Sequence, residues 1–237
     1  MICIVDLSRV TVILPALNEE AALPIALASF PPEVDLLVVD NGSTDQTAAV
    51  AAAHGARMVH EPRRGFGAAC WAGVQAAPGE VLVFADADGS FDGADLPAVA
   101  GPVLRGEADL VVGSRMAHRE QGAMSALAVL ENRLLGLACR LLFGVPLSDL
   151  GPFRAIRRDR LLALGVRDRG SGWPLEMIGR AGFAGLRVAE VPVRYRSRAG
   201  GRSKVSGSVR GTVRAVTAMA VVTLALLRER RSERPAG

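Results

Sequence analysis

Short β-branched segments alternate with alanine-rich segments along this chain, and this alternation constrains the fold more than any other feature. The β-branched segments predict strands at Val10–Leu14, Asp35–Val39, Arg57–His60, Glu80–Phe84, Asp109–Val112 and Val188–Tyr195. The alanine-rich segments predict helices at Glu19–Ser29, Thr44–His54, Phe66–Ala76, Ala94–Leu104, Ala123–Phe143, Pro174–Gly182 and Ser208–Arg230. Strands and helices in alternation form a mainly parallel sheet flanked by helices, so an α/β fold is expected.

The bulk composition indicates one globular unit in a reducing compartment. The 237 residues are 50% hydrophobic, which supports a single substantial core. The cysteines Cys3, Cys70 and Cys139 lie far apart, which argues against a disulfide framework and favours a cytoplasmic protein. The N-terminal stretch MICIVDLSRV has no basic lead and is not typical of a signal peptide.

Four polar motifs follow predicted strands at the point where each strand ends. They are LPALNEE after the first strand, DNGSTD after the second, DADGSFD after the fourth and GSR after the fifth. In open parallel sheets, ligands bind at the carboxyl ends of the strands. The sequence therefore predicts one ligand site built from these four loops.

The strongest of these motifs is DADGSFD, which places Asp86 and Asp88 directly after an apolar strand. Two carboxylates this close repel each other, and burial increases the cost. Mg²⁺ or Mn²⁺ would remove this repulsion, because such cations bind one or two carboxylates together with substrate phosphates. A structural role suits Asp95, as a cap residue, but explains Asp86 and Asp88 poorly.

The motif VVDNGSTDQT places Asp40 at the tip of a strand. Residues 43–45 are explained by helix capping, but Asp40 is not, and we expect its carboxylate to accept a hydrogen bond from a base or a ribose. In RRGFGAA, Gly65 and Gly67 precede a helix, which is weak evidence because such glycines are often only a turn. The neighbouring Arg63 and Arg64 would still suit an anion at that helix N-terminus.

Positive charge is concentrated after the last predicted strand. The cations there are Arg194, Arg196, Arg198, Arg202, Lys204, Arg210 and Arg214, with no acid among them. This stretch favours an anionic partner, and a solvated arginine-rich face is the alternative. Lys204 is the only lysine of the chain, which reflects either a GC-rich genome or a position that needs a compact ammonium. One tyrosine, two tryptophans and no recognised nucleic-acid fold argue against nucleic acid as the partner.

Together the four motifs resemble the family 2 glycosyltransferases, which have the GT-A fold, and most closely the polyprenyl-phosphate (dolichyl-phosphate) hexose synthases. The resemblance implies a Rossmann-like GT-A domain at residues 1–206, followed by a C-terminal helix and basic tail at 207–237. It also implies that DADGSF is the D-x-D motif, with Asp86 and Asp88 as metal ligands. The implied contacts with the nucleotide-sugar are Pro15, Ala16, Asn18, Glu19, Asp40, Gly42, Gly67, Asp86, Ala87 and Arg115.

Three later segments extend the resemblance towards catalysis: SDLGPFRAIRR, WPLEM and RSRAGGRSK, the last of which resembles the family's R-x-x-G-x-S-K loop near the phosphates. The catalytic residues implied by the resemblance are Asp88, Asp149, Glu176, Arg202 and Lys204. The two cations would stabilise a leaving diphosphate, and Asp149 or Glu176 is a candidate general base for a hydroxyl acceptor. A phosphate acceptor needs cations instead of a base, and the residues implied for it are Arg115, Arg133, Arg198 and Ser203.

Two apolar segments bear on membrane contact. The uncharged residues 215–227 are too few to span a bilayer, since spanning takes about 20 apolar residues, and a core helix, a homodimer contact or an interfacial helix all fit. In the segment 123–143 one apolar helical face is formed by Leu127, Leu130, Leu134, Leu137 and Leu141. Either a core contact or a membrane contact explains this face.

The function expected from the resemblance is metal-dependent, inverting transfer of a hexose from a UDP- or GDP-sugar to a polyprenyl phosphate at the inner face of the cell membrane. The same donor chemistry on a soluble acceptor is the alternative. A nucleotidyltransferase is disfavoured because no G-x-G-x-R-type loop follows the first strand. A non-catalytic nucleotide-binding module is disfavoured by the presence of Asp86, Asp88, Glu176 and Lys204 together.

Overall fold

The computed structural model describes residues 5–200 and 209–232. Within these ranges the strands are β1 (Val10–Ala16), β2 (Asp35–Asp40), β3 (Arg57–His60), β4 (Val81–Phe84), β5 (Leu110–Arg119), β6 (Arg154–Arg157) and β7 (Val188–Tyr195). The α-helices are α1 (Leu23–Ala28), α2 (Thr47–Ala53), α3 (Phe66–Ala76), α4 (Leu96–Leu104), α5 (Ala126–Ala138), α6 (Arg158–Leu164), α7 (Trp173–Phe183) and α8 (Val209–Ser232). The expected α/β fold is confirmed.

All seven strands form one sheet in the order β3-β2-β1-β4-β6-β5-β7. Strands β3, β2, β1 and β4 are parallel to one another, β6 lies antiparallel between β4 and β5, and β7 pairs in parallel with β5. The register sets Ala16 of β1 beside Asp40 of β2. The carboxyl ends of β1, β2 and β4 therefore meet at one edge of the sheet, which is the edge that carries three of the four polar motifs.

The sheet is buried by apolar layers on both faces. One layer joins α3, α7 and the buried residues of α8 to the sheet, with Phe84 packed edge-on against Trp173 at 4.8 Å between ring centroids. The other layer joins α1 and α4 to the opposite face, with Phe91 against Phe153 at 5.5 Å. With apolar helices on both faces, the strand ends remain as the part of the sheet where polar loops gather.

Strand β6 and helix α6 are absent from the sequence-based prediction. The β6 segment reads RAIR, with an arginine at each end, so its composition resembles a loop rather than a buried strand. The guanidinium of Arg154 is nevertheless fully buried, where it donates hydrogen bonds to the carbonyls of Leu150, Gly151 and Pro174. Burial lowers the pKa of Arg154 to about 10. Tertiary contacts therefore place a cation inside a strand, contrary to its usual preference for the surface.

Among the predicted helices, α3 has the expected bounds, and the first and fifth differ in ways that the structure explains. Helix α1 begins at Leu23 rather than Glu19, because the preceding residues form hydrogen bonds with a neighbouring loop. The predicted helix 123–143 is α5 followed by a π-helical turn over Cys139–Phe143. Gly136 of α5 packs against the backbone of Leu147, where a Cβ would lie 2.3 Å from the carbonyl oxygen.

The predicted C-terminal helix is present as α8 and packs against α7. Val222 and Leu226 are buried, whereas Val221 and Leu224 are exposed. Among the described residues, no helix combines the length and the apolar character needed to cross a membrane.

Candidate active site

The loops that follow β1 and β2 are joined by reciprocal hydrogen bonds. Asn18, at a positive φ of 52°, accepts a hydrogen bond from the N–H of Thr44, and its own N–H donates to the hydroxyl of Ser43. The N–H of Glu19 donates to the hydroxyl of Thr47 at 2.8 Å. The two motifs thus build one rigid rim, and their Ser, Thr and Asn residues do more than cap a helix. Of the residues predicted to contact the donor, Pro15 and Ala16 lie within β1, beside this rim.

Asp40 lies at the end of β2 with both carboxylate oxygens engaged. One oxygen accepts the N–H of Ser43 at 2.9 Å, and the other lies 3.0 Å from Nδ1 of His60. Burial would raise the pKa of Asp40, but the hydrogen bonds from Ser43 and His60 hold it below its ordinary value. Asp40 is therefore a fixed, ionised acceptor at the edge of the sheet. Its predicted contact with a nucleotide stays a prediction.

Asn41 fastens the loop 61–65 to the end of β2. Its amide nitrogen donates to the carbonyls of Glu61 and Arg63, at 2.9 and 2.8 Å, and its amide oxygen accepts the N–H of Gly65 at 2.9 Å. Only an amide offers both donors and an acceptor in this geometry. The structure thus explains why asparagine, rather than a second aspartate, follows Asp40.

The two glycines predicted to contact the donor occupy tight positions. Gly42 has a φ of 80°, and a Cβ there would lie 3.4 Å from the side chain of Arg64. Gly67 packs against the loop before α7, and a Cβ would lie 2.7 Å from the carbonyl oxygen of Asp168. Its N–H donates to Gly170. These contacts of Gly67 are packing contacts, and its predicted contact with the donor stays a prediction.

Asp86 and Asp88 follow β4 and influence each other. Burial and the neighbouring charge of Asp88 raise the pKa of Asp86 to about 7, although Arg115, Arg198 and Arg154 oppose this shift. One oxygen of Asp88 accepts the N–H of Ser90 at 2.9 Å. Ala87, which lies between them, is buried. The strand end therefore concentrates negative charge, as the sequence predicts.

The oxygen atoms at this strand end fit a divalent cation. The hydroxyl of Ser90 is completely buried and has no hydrogen-bond partner among the described residues. Those residues contain no cluster of three or more His, Cys, Asp or Glu side chains suited to a metal. Two carboxylates and one unused hydroxyl match Mg²⁺ or Mn²⁺, which take few protein ligands and complete their shell with water and phosphate oxygens.

Arg198 bridges two of the predicted donor-site carboxylates. One guanidinium nitrogen donates to Asp88 at 2.7 Å, and the other donates to both oxygens of Glu19, at 2.7 and 2.9 Å. Glu19 and Asp88 are both buried. The sequence places Arg198 with an acceptor phosphate, whereas the geometry places it at the D-x-D motif.

The basic stretch is partly neutralised by acids from distant segments. Arg194 forms ion pairs with Asp92 and Asp95, and Arg196 forms an ion pair with Asp92. The Arg194 and Arg196 side chains remain 47% and 49% exposed, so their ion pairs lie at a solvated surface, whereas the Arg198 side chain is 25% exposed. Arg202, Ser203 and Lys204 lie outside the described residues.

Arg115, after the first half of β5, is held by a carboxylate and a ring. Its backbone N–H and guanidinium donate to Asp149 at 2.7 to 2.9 Å, and the guanidinium also donates to Asn132 at 3.2 Å. It lies over the ring of Tyr195, 5.2 Å from the centroid. Burial would lower the pKa of Arg115, but Asp149 raises it above its ordinary value. Arg115 is thus a permanent, immobilised cation near Asp86.

The hydrogen bonds of Glu176 are made with residues other than those described above. One oxygen accepts the N–H groups of Arg167 and Asp168, at 3.0 and 2.6 Å, and the other accepts a hydrogen bond from Arg180 at 2.6 Å. The loop that Glu176 holds is the one that packs against Gly67. These contacts give Glu176 a structural role, and its predicted catalytic role stays a prediction.

Arg133 lies on α5 beside an open cleft. The cleft has a volume of about 720 Å³ and lies between the end of β5 and the start of α5, where its lining includes Met116, Arg119, Met124, Leu130 and Arg133. The leucines predicted to form one apolar face of α5 are 51% to 73% exposed, namely Leu127, Leu130, Leu134, Leu137 and Leu141. The core interpretation of this face is therefore wrong, because core contacts are made by the opposite side of α5.

Sequence reasoning missed the partners that organise the site. Asn132 and Tyr195 belong to no motif, Ser90 lies within DADGSFD but was not predicted to act there, and Arg198 lies 110 residues from Asp88 and 179 from Glu19. No spacing rule connects residues so far apart. The excess of arginine at the end of β7 and after it is the one sequence signal that predicts an anionic partner for this segment. In the structure, the partners of Arg198 include carboxylates of the chain itself.

The chain is similar to known glycosyltransferases. The model of the family described as Glycosyl transferase family 2 matches residues 11–163. The chain is 49% identical to an uncharacterized glycosyltransferase of Mycobacterium tuberculosis, over 87% of this chain and 94% of that protein. It is 34% identical to the undecaprenyl-phosphate mannosyltransferase of Micrococcus luteus, over 86% of this chain and 90% of that protein.

Among solved structures, the chain is similar to glucosyl-3-phosphoglycerate synthase from Mycobacterium tuberculosis. The complex of that enzyme with Mn²⁺, UDP and glucosyl-3-phosphoglycerate superposes with a TM-score of 0.69 at 27% identity. The match covers 96% of this chain and 81% of that chain. The GT-A fold expected from the motifs is confirmed, and the expected metal class agrees with the Mn²⁺ of that complex.

Proposed function

This chain belongs to glycosyl transferase family 2, and we propose that it transfers a hexose from a nucleotide diphosphate sugar to a polyprenyl phosphate. The proposal assigns the donor to the rim built by the loops after β1, β2 and β4. It assigns the acceptor phosphate to the side of Arg115 that faces α5. The relatives at 49% and 34% identity support a glycosyltransferase, and the second also supports a lipid phosphate as acceptor.

The observation that best supports a lipid acceptor is the exposed leucine face of α5 and the π-helical turn that follows it. A row of leucines at helical spacing normally faces a core, yet here each of the five is at least half exposed. The same helix contacts the candidate active site, because Asn132 accepts a hydrogen bond from Arg115. An apolar surface joined to a fixed cation suits an acceptor that has a hydrocarbon chain and an anionic head.

The carboxylates offered by the sequence as general bases also favour a phosphate acceptor. Asp149 is completely buried and accepts three hydrogen bonds from Arg115. Glu176 is occupied by Arg180 and two backbone N–H groups. A hydroxyl acceptor needs a base to remove its proton, whereas a phosphate is already an anion and needs only cations to position it. Arg115 and Arg133 are the described cations that we assign to it.

In this proposal Asp86 and Asp88 hold Mg²⁺ or Mn²⁺, which supplies positive charge to the departing nucleoside diphosphate. Asp40 accepts a hydrogen bond from the nucleoside. The rim that contains Asn18 and Glu19 encloses the nucleoside. Arg202 and Lys204 are assigned to the diphosphate and Ser203 to the acceptor phosphate, as the family resemblance implies. Arg115 keeps the acceptor phosphate next to the sugar, so that displacement at the anomeric carbon follows from proximity.

The place of action we propose is the cytoplasmic membrane surface. Helix α5 would lie against the lipid with its leucines inserted, since a short amphipathic helix binds in the interface rather than across it. Val221 and Leu224 of α8 are also exposed, and we assign them to the same surface or to a homodimer contact.

A soluble acceptor is the second candidate. The cleft of about 720 Å³ between β5 and α5 has the size of a small-molecule site, and Arg119 and Arg133 line it. The structurally similar synthase is described with glucosyl-3-phosphoglycerate, a small anionic product. This candidate uses the same donor site. It differs only in the acceptor that binds beside Arg115.

A donor and acceptor screen tests the proposal. UDP- and GDP-hexoses would be incubated with Mn²⁺ or Mg²⁺, and release of nucleoside diphosphate would be followed with a short polyprenyl phosphate or 3-phosphoglycerate. We expect release only with the lipid phosphate, and not with the matching polyprenol. Release with 3-phosphoglycerate alone would establish the soluble alternative. Nucleotide binding without release on any acceptor would establish a non-catalytic module.

A further inference from the structure

Arg198 places a positive charge between the carboxylates of Asp88 and Glu19. Its guanidinium spans the gap between Asp88 and Glu19, with three N–O distances of 2.7 to 2.9 Å. The other oxygen of Asp88 is taken by the N–H of Ser90. Both oxygens of Asp88 therefore accept hydrogen bonds from protein donors.

The loop that carries Arg198 does not depend on this ion pair for its position. The N–H of Ala199 donates to the carbonyl of Asp88 at 3.0 Å, and the N–H of Arg196 donates to the carbonyl of Ser90 at 2.9 Å. A Cβ on Gly89 would lie 2.9 Å from the Cβ of Ala199, so the two loops are in close contact. These backbone contacts and the ion pairs of Arg194 and Arg196 hold the loop, so the Arg198 side chain is not needed to position it.

We propose that Arg198 is an internal counter-cation of the metal site, which pairs with Asp88 and Glu19 in the free protein and moves to the donor diphosphate when the metal binds. The metal and the diphosphate would then bind together rather than in separate steps. This inference rests on the proposed function, because it assumes a nucleotide diphosphate donor.

The physical reason is a competition between two cations for one carboxylate. A divalent ion that approaches Asp88 alone meets the positive guanidinium at 2.7 Å from the same carboxylate and must displace it. A diphosphate that arrives with the metal offers new anionic oxygens, to which a guanidinium donates as readily as to a carboxylate. Arg198 then loses no hydrogen bonds on leaving Asp88. The free protein is thereby protected from binding metal at a site without substrate.

The proposal predicts opposite effects of one substitution on two affinities. Arg198→Gln removes the competing charge, so the affinity of the free protein for Mn²⁺ should rise about tenfold. The same variant lacks a cation for the diphosphate, so binding of UDP and GDP in saturating Mn²⁺ should weaken about tenfold. Both would be measured without acceptor, by electron paramagnetic resonance of free Mn²⁺ and by calorimetry.

Two further variants make the result decisive. Arg196→Gln is the matched control, because it removes one arginine from the same loop, paired with Asp92 instead of Asp88, and should change neither affinity. Arg198→Lys keeps the charge but reaches only one carboxylate, and should lie between the wild type and Arg198→Gln in both titrations. It replaces Arg198→Gln if the melting temperature shows that the glutamine variant does not fold.

Arg198→Gln with unchanged or weakened Mn²⁺ affinity would overturn the inference, since a merely structural arginine would lower both affinities together. The proposed function fails in a different way, through a wild-type protein that binds no UDP or GDP even with Mn²⁺ present. Transfer to an acceptor other than a lipid phosphate would leave the inference intact, because no acceptor takes part in either titration.

Discussion

Asp149 accepts hydrogen bonds from the backbone N–H of Arg115 and from two nitrogens of its guanidinium, at 2.9, 2.8 and 2.7 Å. The carboxylate is completely buried, and the arginine side chain is 14% exposed. A base must be able to turn towards the proton that it removes, and these three bonds fix both oxygens of Asp149. We therefore regard Asp149 as the residue that positions Arg115.

We predict that Asp149→Asn lowers kcat without removing a limb of the pH–rate profile. The variant leaves a buried guanidinium without its partner, which costs about 3–5 kcal/mol of unfolding free energy. Chemical denaturation and steady-state rates between pH 5 and 9 would measure the two effects. Loss of the acidic limb would instead identify Asp149 as a base. Asp109→Asn is the matched control, because the Arg187 in its bidentate pair is exposed and only a small loss of stability is expected.

We predict that Asn41→Asp detaches the loop 61–65. The new carboxylate would face the carbonyls of Glu61 and Arg63, which at present accept hydrogen bonds from the amide. Two partly buried carbonyls would lose their donors, so the free energy of unfolding should fall by about 1 kcal/mol. The KM for the donor should also rise. Asp40, the predicted nucleotide contact, lies at the same edge and is held by His60 and Ser43. A variant with wild-type melting temperature and KM would show that the loop is held by other contacts.

We predict that Mn²⁺ binding, measured in the presence of UDP, weakens as the pH falls below 7. In the metal-free protein, burial and Asp88 raise the pKa of Asp86 to about 7. A metal ligand must be deprotonated, so protons compete with Mn²⁺ below this pKa and do not compete well above it. Affinity should be nearly constant above pH 8 and should fall about tenfold per pH unit well below 7. In Asp86→Asn the affinity should be lower and this pH dependence absent, and a variant that retains the same profile would contradict the assignment.

We predict that replacing outward-facing leucines of α5 weakens membrane binding and leaves the donor site intact. Leu134→Gln combined with Leu137→Gln removes two exposed apolar side chains, and partial insertion of both is worth about tenfold in the vesicle partition coefficient. Co-sedimentation with phosphatidylglycerol vesicles would measure it, and UDP affinity should not change. Leu162→Gln is the matched control, an exposed leucine on α6. Equal partitioning of the wild type and the double variant would remove α5 from the membrane contact.

Predictions from the sequence were most reliable where the signal is local. Strands β3 and β7 and helix α3 have the predicted bounds, because their residue types and periodicity suffice to define them. Strand β6 was missed, since its terminal arginines suggest exposure and only the packing of the sheet buries Arg154. The α5 leucines were recognised as one face, but periodicity specifies which residues share a face and not what that face meets.

The sequence by itself determined the α/β alternation, the polar motifs at the ends of β1, β2 and β4, and the paired aspartates, whereas GSR, predicted to follow the fifth strand, lies within β5. Each of these depends on residues that are neighbours along the chain, so composition and spacing express them directly. The tertiary structure decided which side chains meet: Arg198 with Asp88 and Glu19, Arg115 with Asp149, and Asn41 with the loop 61–65. Such pairs are brought together by strand order and loop packing across as many as 179 residues, and many arginines could have satisfied the same carboxylates. Geometry selects one of them because a buried charge is stable only with a partner at hydrogen-bond distance.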